Sequence, residues 1–202
     1  TSLKRITIPS SVTTIGSFAF YECISLINLV IPHSVNTIGP SAFERCSSLI
    51  EIKIPSSVKE IGDNTFRGCL SLKKIEIPSS MNEIKFNIFD GCSSLNEIII
   101  PSSVKKIRSF VFRGCTSLEK IKIPYSVDEI GISAFYGCKS LKEITIPSSI
   151  KTIRAYCFNE CKSLTQIIIP SSLIKIGAFA FHGCISLKLI SVLSSVEEIG
   201  PS

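Results

Sequence analysis

The stretch Ile54–Glu76 reads IPSSVKEIGDNTFRGCLSLKKIE, and the next 23 residues, Ile77–Ile99, read IPSSMNEIKFNIFDGCSSLNEII. Proline recurs at the same phase of this unit along the chain, at Pro9, Pro32, Pro55, Pro78, Pro101, Pro124, Pro147 and Pro170. A short period that holds over a whole chain is typical of a solenoid, in which each unit buries its apolar face only against its neighbours. We therefore predict a single repeat array over residues 1–202, with about nine coils and no second domain.

Some positions of the unit hold one residue type in every copy, whereas the positions between them vary and are mostly polar. The invariant columns, each at steps of 23 residues, run from Phe20 to Phe181, Cys23 to Cys184, Leu26 to Leu187, Ile15 to Ile199 and Ser25 to Ser186. We interpret the invariant apolar columns as the core and the variable columns as the surface.

The segment Ser71–Pro78 (SLKKIEIP) places Ile75 and Ile77 two residues apart with Glu76 between them. Alternation of β-branched and polar residues predicts a strand with one buried face. Proline cannot donate to a strand ladder, and the serines after it hydrogen-bond readily to a turning backbone. Each Pro-Ser-Ser therefore predicts a corner.

The rest of the unit is less regular. In VKEIG, Val58 and Ile61 lie three residues apart, a spacing that fits either a second short strand or an extended bend. In DNTFRGC, the inward residues Thr65, Phe66 and Cys69 have the spacing of one face of a helix, which predicts one tight helical turn.

The eleven glycines fall in two columns, one after the invariant Ile and one before the Cys. Charged residues replace glycine in some units, for example Lys85 in the first column and Arg45 in the second. We therefore expect that neither column requires a positive φ and that both face water.

The unit LxxIxIPxxVxxIGxxAFxxCxS, present at 49–71 and 118–140, resembles the BspA-like class of leucine-rich repeats over the entire chain. The resemblance implies a leucine-rich-repeat solenoid, which we expect to have right-handed coils, parallel β-sheets and short helical turns. It also implies a cell-surface location and a role in adhesion or partner binding without catalysis. An intracellular scaffold or regulatory subunit, with a cytoplasmic location, remains the alternative because a fold alone does not fix a function.

Eight of the nine cysteines occur once per unit at one inward phase. Identical side chains that point in parallel do not meet head on, as a disulfide requires. A zinc site needs a local cluster, and Cys157 and Cys161 are the only pair closer than one period. We therefore predict a ladder of buried, reduced thiols and no metal.

Candidate catalytic residues are sparse. His33 and His182 lie in turn or surface columns about six units apart, which is too far for a dyad. Asp63, Asp90 and Asp128 lie in variable columns without a paired carboxylate, and no glycine-rich phosphate loop is present. We expect no enzyme activity and no cofactor.

The net charge of +6 raises the question of an acidic or nucleic-acid partner. However, the column Glu51, Lys74, Glu97, Lys120 and Glu143 alternates in sign. Side chains at one column of adjacent strands are neighbours, so this alternation replaces repulsion by attraction. The ladder favours solubility and register, and nucleic acid is not favoured as a partner.

One column between the two strand isoleucines is predicted to point outward: Thr7, Val30, Lys53, Glu76, Ile99, Lys122, Thr145, Ile168 and Ser191. Val30, Ile99 and Ile168 would expose apolar side chains there. The strand face is therefore our candidate binding face for a protein or a glycan. Its candidate residues are Val30, Lys53, Glu76, Ile99, Lys122 and Ile168, with Lys74 and Lys120 beside them.

No apolar stretch approaches membrane-spanning length, so we expect no membrane insertion by this segment. The sequence begins and ends in mid-unit, which suggests a segment of a longer array. We expect its end coils to expose their apolar columns and to form a homo-oligomer. The residues involved are Leu3, Ile6 and Ile8 at one end and Val192, Val196 and Ile199 at the other.

Overall fold

The computed structural model describes residues 2–188, 190 and 195–201. These residues form a solenoid of parallel strands with one repeat unit per coil, which confirms the predicted leucine-rich-repeat fold. We number the coils from their first leucine: coil 1 is 3–25, coil 2 is 26–48, and each later coil begins 23 residues further on. Two residues named above, Ser191 and Val192, lie outside the described part of the chain.

The first face of the solenoid is built from the strands that precede each proline. They are β1 Arg5–Thr7, β3 Asn28–Val30, β5 Glu51–Lys53, β7 Lys74–Glu76, β9 Glu97–Ile99, β12 Glu143–Thr145 and β14 Gln166–Ile168. In each of these strands except β1, the central residue is buried and its two neighbours are exposed, as the alternating sequence predicts. Each of these strands therefore presents two side chains to solvent.

The second face is built from two-residue strands, so the VKEIG segment is a short strand. These are β2 Thr14–Ile15, β4 Thr37–Ile38, β6 Glu60–Ile61, β8 Glu83–Ile84, β10 Lys106–Ile107, β11 Glu129–Ile130, β13 Thr152–Ile153, β15 Lys175–Ile176 and β16 Glu198–Ile199. They pair in three separate parallel groups, which end between coils 3 and 4 and between coils 6 and 7.

The corner between the two faces is formed by the proline and by the serine two residues after it. In coil 3, the N–H of Val58 donates to the carbonyl of Pro55 (3.0 Å), which closes a turn. The hydroxyl of Ser57 donates to the carbonyl of Val35 in the preceding coil (2.7 Å). The second serine thus ties successive corners together, and the predicted corner is present.

The predicted helical turn before each cysteine is instead a series of linked turns. In coil 2, the N–H groups of Ser41, Phe43 and Arg45 donate to carbonyls of coil 3, at 2.7–2.9 Å. The intervening N–H groups of Ala42, Glu44 and Cys46 donate within the coil to carbonyls three residues earlier. Since every second N–H points to the neighbouring coil, a helix, which uses its N–H groups internally, cannot form. We call this side of the solenoid the turn face.

Positive φ angles make this alternation possible. The expectation that neither glycine column needs a positive φ was therefore wrong for the column before cysteine. The column before cysteine has a positive φ both at its glycines, such as Gly91 (74°), and at Glu22 (55°), Arg45 (60°) and Glu160 (59°). A second column adopts the same conformation in each of coils 1 to 8, at Phe18, Ser41, Asn64, Asn87, Phe110, Ser133, Tyr156 and Phe179. We call it the left-handed column.

The column before cysteine is exposed or partly exposed at most of its members, as predicted, but several members of the other glycine column are not. Gly39, Gly62 and Gly131 are buried, and a Cβ on Gly39 would lie 2.6 Å from the backbone nitrogen of Ser17 in the preceding coil. Close approach of two backbones, rather than φ, is therefore what glycine allows there. Two of the charged residues that replace glycine lie next to the interruptions of the second-face ladder. Lys85 directly follows β8, and Arg154 directly follows β13.

The core is a continuous stack. Phe20 to Phe181 lie ring over ring through coils 1 to 8, with centroid separations of 5.2–5.9 Å and interplanar angles of 3–19°. All nine cysteines are free, and Cys46 to Cys161 at the repeat phase are fully buried, as is Cys157. The predicted burial of these thiols is therefore confirmed.

Candidate partner-binding face

The predicted outward column lies on the first face, where neighbouring coils bring its members side by side. Val30 pairs with Lys53 in register, Glu76 pairs with Ile99, and Thr145 pairs with Ile168. The central strand residues on the opposite side of the sheet, such as Leu29 and Ile52, are buried in the core. The strands thus hold this column rigidly at the surface.

The three apolar members of this column are well exposed. The exposed fraction is 78% for Val30, 44% for Ile99 and 52% for Ile168. Lys53, Glu76 and Lys122 are exposed in the same column, and Lys74 and Lys120 are exposed two positions before it. The structure therefore places all eight predicted residues on the surface of one face, spread over coils 2 to 8.

The alternating charges next to this column form ion pairs between neighbouring coils. The Lys74 Nζ lies 2.5 Å from the Glu97 Oε1, and the Lys120 Nζ lies 3.0 Å from the Glu143 Oε1. The hydrogen bond from Lys74 to Glu97 raises the pKa of the Lys74 ammonium above its usual range. Both lysines are already paired with glutamates, so an acidic group of a partner would have to displace a glutamate to bind them.

Two shallow grooves cross the first face. One is lined by Lys53, Lys74, Glu76 and Ile99 together with His33 at the corner. The other is lined by Lys120, Lys122 and Ile168 together with Tyr125. Among the eight predicted residues, seven line one groove or the other, and Val30 lies on the face beside them.

An interruption of the first-face sheet separates the two grooves. In the described part of the chain, coil 6 has no first-face strand, and only an isolated bridge joins Lys120 to Glu143. β9 ends one sheet and β12 begins the next. The second groove opens at this interruption, where the backbone of coil 6 departs from the regular ladder.

Sequence reasoning missed Tyr125, which is 78% exposed at the corner beside the second groove. The signal was available, because the position after the proline is serine in most units but His33 in coil 2 and Tyr125 in coil 6. Tyrosine supplies a large contact area and a polar hydroxyl, which makes it common in interfaces. The exposed Tyr125 in a serine column therefore distinguishes coil 6 from the other coils.

Within the described residues, no group of three or more His, Cys, Asp or Glu side chains is arranged to hold a metal ion. His33 and His182 are both exposed, in coils 2 and 8, as expected for surface positions. The same residues contain no helix with the length and apolar character needed to cross a membrane.

Comparison with known families identifies the repeat. Residues 1–96 and 82–202 match the BspA type leucine-rich repeat region, in six copies. The chain belongs to the BspA-type leucine-rich repeat family. Sequence comparison with curated proteins gave no match.

Several solved structures of leucine-rich repeat proteins are similar to this chain. One from Bacteroides ovatus is 30% identical, with a TM-score of 0.60, over 98% of this chain and 68% of that one. The T. pallidum leucine-rich repeat protein is 28% identical, with a TM-score of 0.63, over 93% of this chain and 79% of that one. A leucine-rich cell surface protein from Faecalibacterium prausnitzii is 25% identical, with a TM-score of 0.62, over 98% of this chain and 77% of that one. This BspA-type chain thus shares its architecture with bacterial repeat proteins.

Proposed function

We propose that this BspA-type array is a non-catalytic recognition module that binds a protein through its first face and acts in adhesion at a cell surface. The observation that carries the proposal is the outward column in which Val30, Ile99 and Ile168 expose apolar side chains on a rigid sheet. An array of short strands offers a broad, fixed surface of this kind.

The composition of the face supports a protein partner. Interfaces combine apolar and aromatic anchors with a polar rim, and here Ile168 and Tyr125 lie beside Lys122 and Glu143 in one groove. Because Lys74 and Lys120 are already paired with glutamates, a polyanion would find little unpaired charge in the ladder. A partner with a mixed apolar and polar surface fits better.

The surface location rests on family membership and on the similar cell surface protein of Faecalibacterium prausnitzii. Labelling of the epitope-tagged full-length protein on intact, unpermeabilised cells tests it. We expect the tag to be accessible to antibody from outside. A tag that is accessible only after lysis would favour the alternative, an intracellular scaffold or regulatory subunit.

The binding face is tested by exchanging its apolar residues for threonine, which the chain itself has in this column at Thr7 and Thr145. The triple variant Val30→Thr, Ile99→Thr, Ile168→Thr keeps β-branched side chains and should unfold at an unchanged temperature. Surface-immobilised wild-type protein is first titrated with a panel of purified surface and extracellular proteins. We expect a bound protein from this panel to bind the triple variant at least about tenfold more weakly.

The matched control is Lys106→Thr on the second face, where Thr37 and Thr152 occupy the same column. This variant should bind as the wild-type protein does. Equal affinity for the wild-type protein and the triple variant would place the binding site elsewhere on the array.

We also propose self-association of the 202-residue polypeptide through its outer coils. Ile6 and Ile199 are exposed although the equivalent isoleucines of inner coils are buried. Open strand edges pair readily with other chains, and contact between like ends closes a two-fold dimer. Sedimentation at several concentrations should show a dimer that Ile6→Lys with Ile199→Lys abolishes; a monomer at every concentration would reject the proposal.

A further inference from the structure

The second face carries lysines that are not neutralised within the array. In the column directly before its strands, lysine occupies every second coil, at Lys59, Lys105 and Lys151, and all three side chains are exposed. Among the described residues, none of the three lies within ion-pair distance of an acidic side chain. We call the exposed members of this column in coils 2 to 7 the lysine row: Asn36, Lys59, Asn82, Lys105, Asp128 and Lys151.

The acidic side chains of the next column are paired with other cations. The Glu60 Oε1 lies 3.4 Å from the Lys85 Nζ, and the Glu83 Oε2 lies 2.8 Å from the Arg108 Nη2. The Glu129 carboxylate lies 3.5–3.8 Å from the charged groups of three cations. Because these carboxylates are already balanced, the charge presented along the row is set mainly by its own unpaired lysines.

A shallow groove borders the row where the second face is interrupted between coils 3 and 4. It is lined by Asn36, Lys59 and Asn82, and the one apolar side chain that lines it, Met81, is buried. The N–H of Lys59 donates to the carbonyl of Asn36 at 2.8 Å. In the described part of the chain, no such bond joins the N–H of Asn82 to the carbonyl of Lys59. The interruption thus adds an unpaired backbone donor and acceptor to the row.

The spacing of the lysines indicates the repeat of their ligand. Successive coils rise by about 4.8 Å, so lysines in alternate coils recur at roughly 10 Å. A linear chain of β-linked sugars advances by nearly the rise of one coil for each sugar ring. A glycan in which an acidic sugar alternates with a neutral one therefore brings one carboxylate to each lysine and one neutral ring to each coil between them.

The residues between the lysines suit a neutral, N-acetylated sugar. Asn36 and Asn82 supply amide donors and acceptors for its hydroxyl and acetamido groups. Asp128 accepts hydrogen bonds from the same groups but would repel a carboxylate on that ring. The row is therefore matched to a charge on every second ring and not on every ring.

We propose that the lysine row binds a linear anionic glycan in which a uronic acid alternates with an N-acetylhexosamine, so that each disaccharide carries one carboxylate. The three carboxylates of a hexasaccharide stretch bind the three lysines. The hydroxyl and acetamido groups of the intervening rings bind the asparagines, Asp128 and the backbone groups at the groove.

Other anionic or protein partners fit the row less well. Nucleic acid carries a phosphate on every nucleotide, and single strands also use aromatic side chains as stacking platforms, which the row lacks. A protein interface is centred on apolar or aromatic anchors, and neither the row nor its groove exposes one.

This glycan site goes beyond the protein-binding face and is independent of it. The row lies on the second face, and none of its residues lines either first-face groove. Failure of one proposal therefore leaves the other standing.

The test is calorimetric titration of the 202-residue chain with octasaccharides of hyaluronan and of unsulfated chondroitin, which both have the proposed alternation. We expect at least one of them to bind, with an affinity that falls as the salt concentration rises. The uncharged N-acetylglucosamine hexamer should bind at least about tenfold more weakly. Absence of binding by both octasaccharides would overturn the proposal.

The site is located by the triple variant Lys59→Asn, Lys105→Asn, Lys151→Asn, which installs the residue that coils 2 and 4 have in this column. The three positions are exposed, so the variant should unfold at an unchanged temperature. We expect octasaccharide binding to weaken about tenfold or more, because the carboxylates lose their charged partners. Unchanged binding by the folded variant would overturn the proposal.

The spacing is tested by the exchange variant Asn82→Lys, Lys105→Asn. It keeps the net charge and the number of lysines but breaks the two-coil period. We expect it to bind the octasaccharide about threefold more weakly or worse, as the loss of one exposed ion pair allows. Binding equal to that of the wild-type protein would show that net charge alone attracts the glycan, and would overturn the proposed match.

The matched control is Lys73→Asn, Lys139→Ser, Lys162→Ser, which removes three lysines outside the second face and installs residues found in the same columns of other coils. It should bind the octasaccharide as the wild-type protein does. A loss as large as that of the row variant would again assign the effect to net charge. Oligodeoxythymidine that binds more tightly than either octasaccharide, and only when the row is intact, would assign the row to nucleic acid and overturn the proposal.

Discussion

The thiol of Cys115 donates a hydrogen bond to the backbone carbonyl of Phe89 in the preceding coil, with an Sγ to O distance of 3.2 Å. Every cysteine of this column from Cys46 onward makes the same hydrogen bond to the phenylalanine carbonyl of the preceding coil, at 3.0–3.2 Å. It accounts for the invariant cysteine column, because the thiol reaches a backbone carbonyl of the preceding coil in each case. Cysteine is both small enough to be buried there and able to donate.

Replacement of Cys115 by alanine should lower the free energy of unfolding by about 0.5–1.5 kcal/mol, because the buried Phe89 carbonyl loses its thiol donor but keeps the N–H of Cys92 at 3.0 Å. Cys115→Ser keeps a donor and should lose less. Urea unfolding followed by circular dichroism measures both. If the alanine variant is as stable as the wild-type protein, the hydrogen bond has no net stabilising role.

Alkaline pH should destabilise the fold through the same thiols. Burial raises the pKa of both Cys46 and Cys157 from 9.0 to about 12. Between these values the unfolded chain releases thiol protons that the folded chain retains. Stability is therefore fully present below pH 9 and falls as the pH rises toward 12, by up to about 1.4 kcal/mol per pH unit for each thiol.

The contribution of one thiol is obtained by measuring the urea midpoints of the wild-type protein and of Cys157→Ala at a series of pH values above 9. Lysine and tyrosine titration is common to both proteins, so the difference between the two slopes reports Cys157. We expect the shallower slope in the variant. Parallel curves would show that Cys157 ionises equally in the folded and unfolded chains.

The phenylalanine stack should be most sensitive to truncation in its middle. Phe112 is fully buried between Phe89 and Phe135, with centroids 5.8 and 5.3 Å away. Phe20 is partly buried and stacks only on Phe43 among the described residues. Phe112→Ala should cost about 3–5 kcal/mol and Phe20→Ala distinctly less. Equal losses in chemical denaturation would contradict a stack whose layers support one another.

A buried carboxylate ties three coils together on the turn face. The Asp90 side chain is 8% exposed and accepts hydrogen bonds from Arg113 at 2.7 and 2.8 Å and from Arg67 at 3.1 Å. Asp90→Ala leaves both arginines without this acceptor and should cost roughly 2–3 kcal/mol, since the arginines keep partial contact with water.

The matched control for Asp90 is Glu22→Ala. Glu22 also accepts a hydrogen bond from an arginine of the next coil, Arg45, at 2.7 Å, but both side chains are about half exposed. Exposed ion pairs contribute little to stability, so this variant should unfold with the wild-type protein. A loss at Glu22 as large as the loss at Asp90 would show that burial is not what distinguishes the two pairs.

The contrast between Phe112 and Asp90 shows what the sequence can predict. Phe112 was assigned to the core because its column never changes, and a layered solenoid repeats its core in every coil. Asp90 lies in a variable column, which was assigned to the surface. Arg67 and Arg113 hold the same column of the two flanking coils, so their pairing with Asp90 follows from the repeat, whereas the burial of the carboxylate depends on how closely the coils stack.

The same limit applies to the first face. Alternation within SLKKIEIP correctly separated the inward Ile75 from the outward Glu76. The interruption at coil 6 was not predicted, because its sequence from Lys120 to Ile123 follows the repeat like any other. A strand exists only where its neighbours pair with it, so a single unit does not determine it.

The last prediction concerns the two glycine columns, which serve different physical purposes. Gly91 has a φ of 74°, and a Cβ there would meet nothing closer than 3.9 Å. Gly91→Ala should therefore cost about 1–2 kcal/mol through backbone conformation alone. Gly39 is limited by space instead, since a Cβ would lie 2.6 Å from the Ser17 nitrogen, and the Gly39 N–H donates to the Ile15 carbonyl at 2.8 Å.

Gly39→Ala must push coil 2 away from coil 1 and should cost about 3 kcal/mol or more, at the upper end for an overpacked site. Asparagine separates the two causes, because it tolerates the left-handed conformation but still has a Cβ. We expect Gly91→Asn to be nearly as stable as the wild-type protein and Gly39→Asn to be at least as unstable as Gly39→Ala. Urea unfolding of the four variants decides the matter: if asparagine rescues position 39, or fails to rescue position 91, the two columns do not differ in the way that their geometry requires.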